Sequence, residues 1–528
     1  MSSDLFKEIN NYTDFLRDES RLTGFADAIA FPRTEGEVVE LLRMTESRRE
    51  PVTLQGARTG ITGGAVPQGG KVINFSRMDR IHGLRYISES NTFSVIVQPG
   101  VTLTQLNNTL MNKSFDTSGW RDESLKALAE FRKSKPYFFT PDPTETTASL
   151  GGMASCNASG ARSYLYGSTR HHIYRARIGL VGGGILELKR GEHRAEGRKF
   201  SVQTENQPTL TYSGEVPSYN MPAVKNAAGY FALSDMDILD LFIGSEGTLG
   251  CFVELELLLK PLPPVIYGMM IFFADMNEAI DFVKNIRTEL QLKPILSAVE
   301  FFDSNCLELL RRWSETASRS RPVPAIDTKW KCAVYLELHA FNETDAMNGV
   351  ELIDAEVNRS VKAGNDTWMA DNQSDMEMLK TLRHAVPESV NLLIDEIKKR
   401  EPEITKLGTD LAVPDDKLDE VIDLYCGDLT KYRLRHVIFG HIGNNHLHVN
   451  IIPENMRDYQ TGKELYLQWA RTVVKMGGTV SAEHGIGKLK RAFLLEMYGE
   501  AGVQQMRKVK KIFDPYMLLN RGCLFDAG

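Results

Sequence analysis

The chain has 528 residues, 42% of them hydrophobic, 25% charged and 9% aromatic, which excludes a disordered, collagen-like or disulfide-scaffold protein. With 62 Lys and Arg against 69 Asp and Glu, the formal net charge is −7. That argues against whole-chain affinity for nucleic acid or anionic membrane, while leaving a local basic pocket open.

At roughly 100–200 residues per domain, the length predicts about three domain-sized units. The start of the chain shows no apolar signal region, and no stretch approaches about 18 consecutive apolar residues. The cytoplasm is therefore the default location. A helix is predicted over 34–48, where Thr34 and Glu37 make a capping-box pattern and Val38, Leu41 and Leu42 an apolar stripe. Short apolar runs at Val52–Leu54, Val72–Phe75 and Phe93–Val97 read as strands. The segment 113–140 reads as a charged, helix-capable insertion, and 190–222 as a polar, Pro-punctuated surface excursion. Prolines at 261, 263 and 264 mark a boundary. Beyond it, strands at Tyr267–Phe273, Ser297–Phe302 and Ala333–His339 alternate with helices at 275–290, 344–362 and 415–425. Two more strand-like runs follow, around Val437–Phe439 and Leu447–Ile452. This alternation predicts an α+β layer, an antiparallel sheet covered on one face. The last 45 or so residues return to Gly-rich, basic sequence.

The six cysteines, at 156, 251, 306, 332, 426 and 523, form no C-x-x-C pair. An iron–sulfur cluster or four-cysteine zinc site is not expected; scattered thiols of this kind are usually small buried hydrophobes.

Glycines concentrate in three loops. The first, Gln55–Pro67, places Gly56, Gly60, Gly63 and Gly64 directly after an apolar run; the others are Ser149–Gly160 and Gly244–Gly250. Glycine lets successive N–H groups curl around a phosphate. Neither the P-loop nor the Rossmann fingerprint is present. The first loop resembles the pyrophosphate loop of the vanillyl-alcohol oxidase flavoprotein family, whose segments Pro141–Thr144, Ser149–Gly160, Lys225–Tyr230 and Gly244–Gly250 recur in the same order. The resemblance implies an FAD-binding domain of that type with an inserted ferredoxin-like α+β cap. The division is expected at 1–262 (FAD), 263–480 (cap, substrate) and 481–528 (return to the FAD domain). It further implies cofactor contacts from Gly56, Arg58, Thr59, Gly60, Thr62, Gly63 and Gly64 around the pyrophosphate. Pro141, Thr144, Gly151, Gly152, Ser155 and Asn157 would line the flavin, with Glu246, Gly247 and Thr248 nearby. Relatives with covalent flavin carry His in the first loop; this chain has Thr59, so non-covalent FAD is expected.

Of eleven histidines, three lie in Gly440–Asn450 and a fourth in Ser481–Gly487. On a strand, His446, His448 and Asn450 share one face, and His441 can fold back toward it across the Gly443 turn. Two imidazoles and a carboxylate with positions left open suit a catalytic divalent metal. His82, His193 and His339 read as satisfied polar residues. The clustered region resembles the metal-dependent branch of the family, the FAD-linked D-2-hydroxyacid dehydrogenases. By that resemblance His441, His448 and Glu483 are metal ligands, for Zn or Mn/Fe, and His484 is the general base. Where that branch runs Gly-Asp-Gly-Asn-Leu-His, this chain has Asn444, Asn445 and His446. His446 is left as an extra ligand or a substrate hydrogen-bond donor. Arg383 and Lys406 resemble positions that hold a substrate carboxylate, which suits their charge; Lys398–Arg400 reads as a solvated face.

The implied reaction takes a small D-2-hydroxy acid such as D-lactate to its 2-oxo acid, with hydride passing to flavin N5. The rivals are a flavin alkyl-transferase like alkylglycerone-phosphate synthase and a non-catalytic electron-relay subunit. Electrons would need an external acceptor: a quinone, an electron-transfer flavoprotein or an iron–sulfur subunit. Peripheral membrane contact through 113–140 or 190–222 is left open, as is a homodimer; no nucleic-acid partner is expected.

Overall fold

The computed structural model describes residues 5–206, 210–316, 323–360 and 366–526. The first layer is a small sheet of Phe6–Glu8, Ala28–Ala30, Lys71–Asn74 and Val52–Gln55, in that spatial order, whose last two neighbour pairs are parallel. The helix Glu35–Arg48 forms as its cap predicts, with the Thr34 hydroxyl accepting from the Glu37 N–H. Its Val38, Leu41 and Leu42 are buried between that sheet and a second one.

The second sheet runs Ile81–Ile87, Thr92–Val97, Cys251–Leu258, Ile173–Gly179, Ile185–Lys189, antiparallel throughout. The 113–140 segment, read as helix-capable, forms the helix Asp122–Lys133, and its Phe131 is fully buried edge-on to Phe93, so it also contributes core. Within 190–222, of which 207–209 lie outside the described residues, Lys199–Gln203 pairs with Thr211–Glu215. Phe200 and Tyr212 of this hairpin stack on Phe513, while the polar residues of its two strands stay exposed, so the surface excursion is an ordered hairpin with one packed face.

The third sheet starts at Val265, just past the prolines. Its order is Asp366–Ala370, Val265–Phe273, Cys332–Ala340, Leu296–Phe302, His436–His441, His446–Ile451, Leu407–Gly408, with Leu411–Ala412 also on His446–Ile451. The expected cover on one face is corrected. Ile271 and Phe273 pack against Phe282 and Val283 of Met276–Thr288 and Ile353 of Glu343–Ser360. Met270 and Phe272, on the opposite face by strand alternation, pack against Leu307 and Leu310 of Ser304–Thr316 and Leu379, Leu382 and Val386 of Gln373–Lys398. The strand is apolar at every position from Met269 to Phe273 because both faces are buried. The expected helix 344–362 is described to Ser360, and 361–362 lie outside the described residues.

Three long helices, Gln373–Lys398, Met456–Lys475 and Arg491–Phe513, carry no counterpart in the sequence-based expectations. After the last of them, Val52 N–H bonds Leu518 O and Asn520 N–H bonds Val52 O, which ties the C-terminal segment to the first sheet. Cys251, Cys306, Cys332 and Cys523 are buried, and all six thiols are free. Among the described residues no helix is long and apolar enough to cross a membrane.

Candidate active site

The register of two strands builds the histidine cluster. His436–His441 and His446–Ile451 are antiparallel, with His441 opposite His446 and Phe439 opposite His448. Directly opposed residues share a face, as do residues two apart, so the three imidazoles stand together. Ring centroids lie 5.3 Å apart for His441–His446, 4.4 Å for His446–His448 and 5.6 Å for His441–His448. Gly440, at φ +122°, makes room: a Cβ there would lie 2.8 Å from His448 Cδ2. Asn445 at φ +51° closes the turn, and its amide bonds Arg287 and Asp415, each at 2.6 Å.

The fourth imidazole and the carboxylate arrive on the loop 481–487. One buried carboxylate, Asp410, holds that loop. It accepts from Glu483 N–H (3.1 Å), His484 N–H (3.0 Å), Ser481 Oγ (2.6 Å) and Lys490 Nζ (2.8 Å). His484 Nδ1 lies 3.5 Å from the same carboxylate, and its ring stacks on His448 at 5.4 Å. Burial opposes the Asp410 charge, but His484, Lys490 and His446 hold it well below the usual carboxylate range. Burial pushes His446 and His448 down to about 3 and His484 to about 4, leaving neutral imidazoles.

A metal ion fits this donor set. One ligand atom from each of His441, His446, His448 and Glu483 lies within 4.8 Å of all the others. His448 Nδ1–H donates to Thr409 O at 2.9 Å, which leaves Nε2 as the lone pair. His441 is held from behind by Glu300, 2.6 Å from Nδ1, and its Nε2 faces Glu483 Oε2 at 3.2 Å. Against the pull of burial, Glu300 and Glu483 raise His441 to about 9. Lys225 and Ser159 bond the other Glu483 oxygen. Glu300, Asp410, Lys225 and Ser159 were missed from sequence; the runs Lys225–Tyr230 and Ser149–Gly160 contained two of them, and nothing singled out Glu300 or Asp410.

The glycine loops meet this cluster. Gly56 is forced by contact: a Cβ there would sit 2.1 Å from Ser149 Oγ, which also accepts from Ala57 N–H at 3.2 Å. A Cβ on Gly60 meets nothing within 4 Å, and one on Gly64 only Glu246 Oε2 at 3.9 Å, so both glycines border open space. Gly63 is at φ +76°. Thr62 Oγ1 donates to His484 O at 3.3 Å, and Lys488 N–H to Thr62 O at 2.9 Å, so the first loop touches the residue read as the base. Glu246 accepts from Ile486 and Gly487 N–H, both at 2.7 Å.

Other expected contacts are placed as follows. Arg58 turns its guanidinium toward the Asp14 and Arg17 carbonyls and the Phe15 ring, away from the loop interior. Thr59 lies in the same first loop. Gly151, Gly152 and Ser155 lie on the helix Leu150–Cys156, which Asn157 ends at φ +50°. Pro141 is buried and Thr144 exposed in the loop ahead of it. Gly247 is at φ +69°, and Thr248 is fully buried, bonded to Tyr230 Oη and Ser245 O. Arg383, on Gln373–Lys398, makes no hydrogen bond or ion pair among the described residues; its nearest ring partner is Tyr335 at 5.8 Å. Burial opposes its charge, and Glu300, Tyr335, Asp142 and Glu337 more than restore it. Lys406 Nζ bonds Asn391 Oδ1 at 3.2 Å. His339 is buried and satisfied by Glu337 and Tyr166, as expected of it.

Comparison with known proteins agrees with this architecture. Residues 26–117 match the family model described as FAD binding domain, and 262–524 match FAD linked oxidases, C-terminal domain. The fold is similar to an alkyldihydroxyacetonephosphate synthase (TM-score 0.64, 14% identity, 98% of this chain and 83% of that one). It is likewise similar to a 4-ethylphenol oxidase from Gulosibacter chungangensis (TM-score 0.62, 14% identity, 98% and 92%). This is the vanillyl-alcohol-oxidase type of FAD-binding fold, with mixed helix and sheet. The chain belongs to the FAD-linked oxidases and is an FAD-dependent oxidoreductase. Similar curated proteins include a probable mitochondrial D-lactate dehydrogenase of Danio rerio, 27% identical over 95% of this chain and 84% of that protein. Another is a D-lactate dehydrogenase of Anaerostipes hadrus, 26% identical over 98% and 93%. A third is a D-2-hydroxyglutarate dehydrogenase of Stutzerimonas stutzeri, 26% identical over 95% and 91%.

Proposed function

We propose that the protein oxidises a D-2-hydroxy acid, such as D-lactate, to the corresponding 2-oxo acid. FAD is bound without a covalent link by 1–262 and 481–528, and the substrate by 263–480. The observation that carries this reading is the loop 481–487: Asp410 holds its Glu483 and His484 against the histidine strand, while Thr62 and Glu246 tie it to the flavin loops. The names of the similar curated proteins point the same way.

Bound FAD supplies the hydride acceptor and a bound divalent ion, Zn or Mn/Fe, supplies Lewis acidity toward the α-hydroxyl. His441, His448 and Glu483 hold the ion. His484 takes the hydroxyl proton at the imidazole nitrogen turned away from Asp410, whose carboxylate lies 3.5 Å from Nδ1. Arg383, an interior guanidinium without a direct partner, binds the substrate carboxylate, and Lys406 adds a second positive charge. The electrons pass on to an external acceptor: a quinone, an electron-transfer flavoprotein or an iron–sulfur subunit.

The test is anaerobic mixing of the flavin-loaded, metal-replete protein with a panel of D- and L-2-hydroxy acids. Bleaching of the flavin band by D-enantiomers is expected. No bleaching by any member would overturn the reading and return the alkyl-transferase alternative.

A further inference from the structure

His446 is the one imidazole of the cluster with no explained role. Its side chain is fully buried, whereas His441, Glu483 and His484 keep 14%, 10% and 29% of theirs exposed. Its Nδ1 has no partner, while Nε2 faces Asp410 Oδ1 at 3.0 Å. A buried polar group left unpaired is costly, and native proteins rarely leave one so. One ring nitrogen nevertheless lies within 4.8 Å of the ligand atoms of His441, His448 and Glu483.

We propose that His446 is a fourth protein ligand, so that three imidazoles and one carboxylate hold the ion. This rests on the metal reading above and goes beyond its three-residue set. Burial separates a ligand from a substrate donor: a group that bonds substrate must reach the cavity, and His446 has no exposed surface, while His484 does. Register supplies the geometry, since His446 stands directly across from His441 and two residues from His448 on one face. Asp410 behind Nε2 makes the carboxylate–imidazole–metal order that fixes a ligating ring, with Nδ1 toward the ion. On a six-coordinate ion, four protein ligands would leave two positions, the number that the hydroxyl and one carboxylate oxygen of a hydroxy acid require. The added imidazole biases the site from Mn²⁺ toward Zn²⁺, Co²⁺ or Ni²⁺.

Two measurements on the flavin-loaded protein test this. Pulsed EPR of the Cu²⁺-loaded wild type counts coordinated imidazoles without any substitution: three are expected, and two would overturn the inference. Zn²⁺ competition titrations then compare wild type, His446→Asn and His448→Ala. His446→Asn should bind at least about 100-fold more weakly at unchanged flavin content, the top of the range for residues that merely support a ligand. Wild-type affinity in His446→Asn beside a large loss in His448→Ala would overturn the inference and leave the metal reading standing. Zn²⁺ affinity unmoved by His448→Ala would overturn both.

Discussion

The glycine loops and the histidine cluster are both proposed as recognition sites, and they are made of different material. Around Gly56–Gly64 the surface is backbone: a Cβ on Gly60 or Gly64 would enter open space, and one on Gly56 would meet Ser149 Oγ at 2.1 Å. Around His441–His448 the working surface is side chain, arranged by strand register and braced from behind by Glu300, Asp410 and Thr409. A backbone site tolerates changes of residue type that preserve its conformation. A side-chain site fails with a single atom. The loop 481–487 belongs to both, bonded to Asp410 on one side and to Glu246 and Thr62 on the other.

That contrast can be broken most sharply at His484. His484→Ala should slow flavin reduction by substrate about 10²-fold or more in stopped flow, with FAD content unchanged, because only the proton acceptor is lost. A smaller effect, and a different one, is expected behind the cluster. Glu300→Gln keeps the shape but weakens the hold on His441, and should lower metal affinity about 10–100-fold in a chelator competition. On the backbone side, Gly56→Ala should cost about 1 kcal/mol, the low end of overpacking because Ser149 Oγ can rotate away. It should appear as weaker FAD retention and a lower Tm, with Zn²⁺ affinity untouched. A metal effect from Gly56→Ala, or a flavin effect from Glu300→Gln, would erase the distinction between the two regions.

Local signals were legible where one element carries them. Thr34 and Glu37 announce a helix that forms as expected, and the period-2 spacing of His446, His448 and Asn450 places them on one face. What needed the fold was anything assembled across distance. Glu300 meets His441 only because Phe301 pairs with Gly440, and Lys225 reaches Glu483 across 258 residues of chain. Two of the three long helices carry a breaker inside them. Pro387 lies inside Gln373–Lys398, and Gly499, at φ +65°, interrupts Arg491–Phe513, so each reads as loop when propensity is taken residue by residue. The double burial of the third sheet was encoded in the unbroken apolar run Met269–Phe273, but short runs of this kind do not say what lies on either side.

The central claim is that one substrate is gripped by the histidine cluster while it reduces the flavin. The most direct measurement is single-turnover flavin reduction by a D-2-hydroxy acid in protein stripped of metal with a chelator and then reconstituted. Stripping should slow reduction by about 10²-fold or more at unchanged flavin content, and adding back Zn²⁺ or Mn²⁺ should restore it. Reduction at the original rate in the stripped protein would contradict the account.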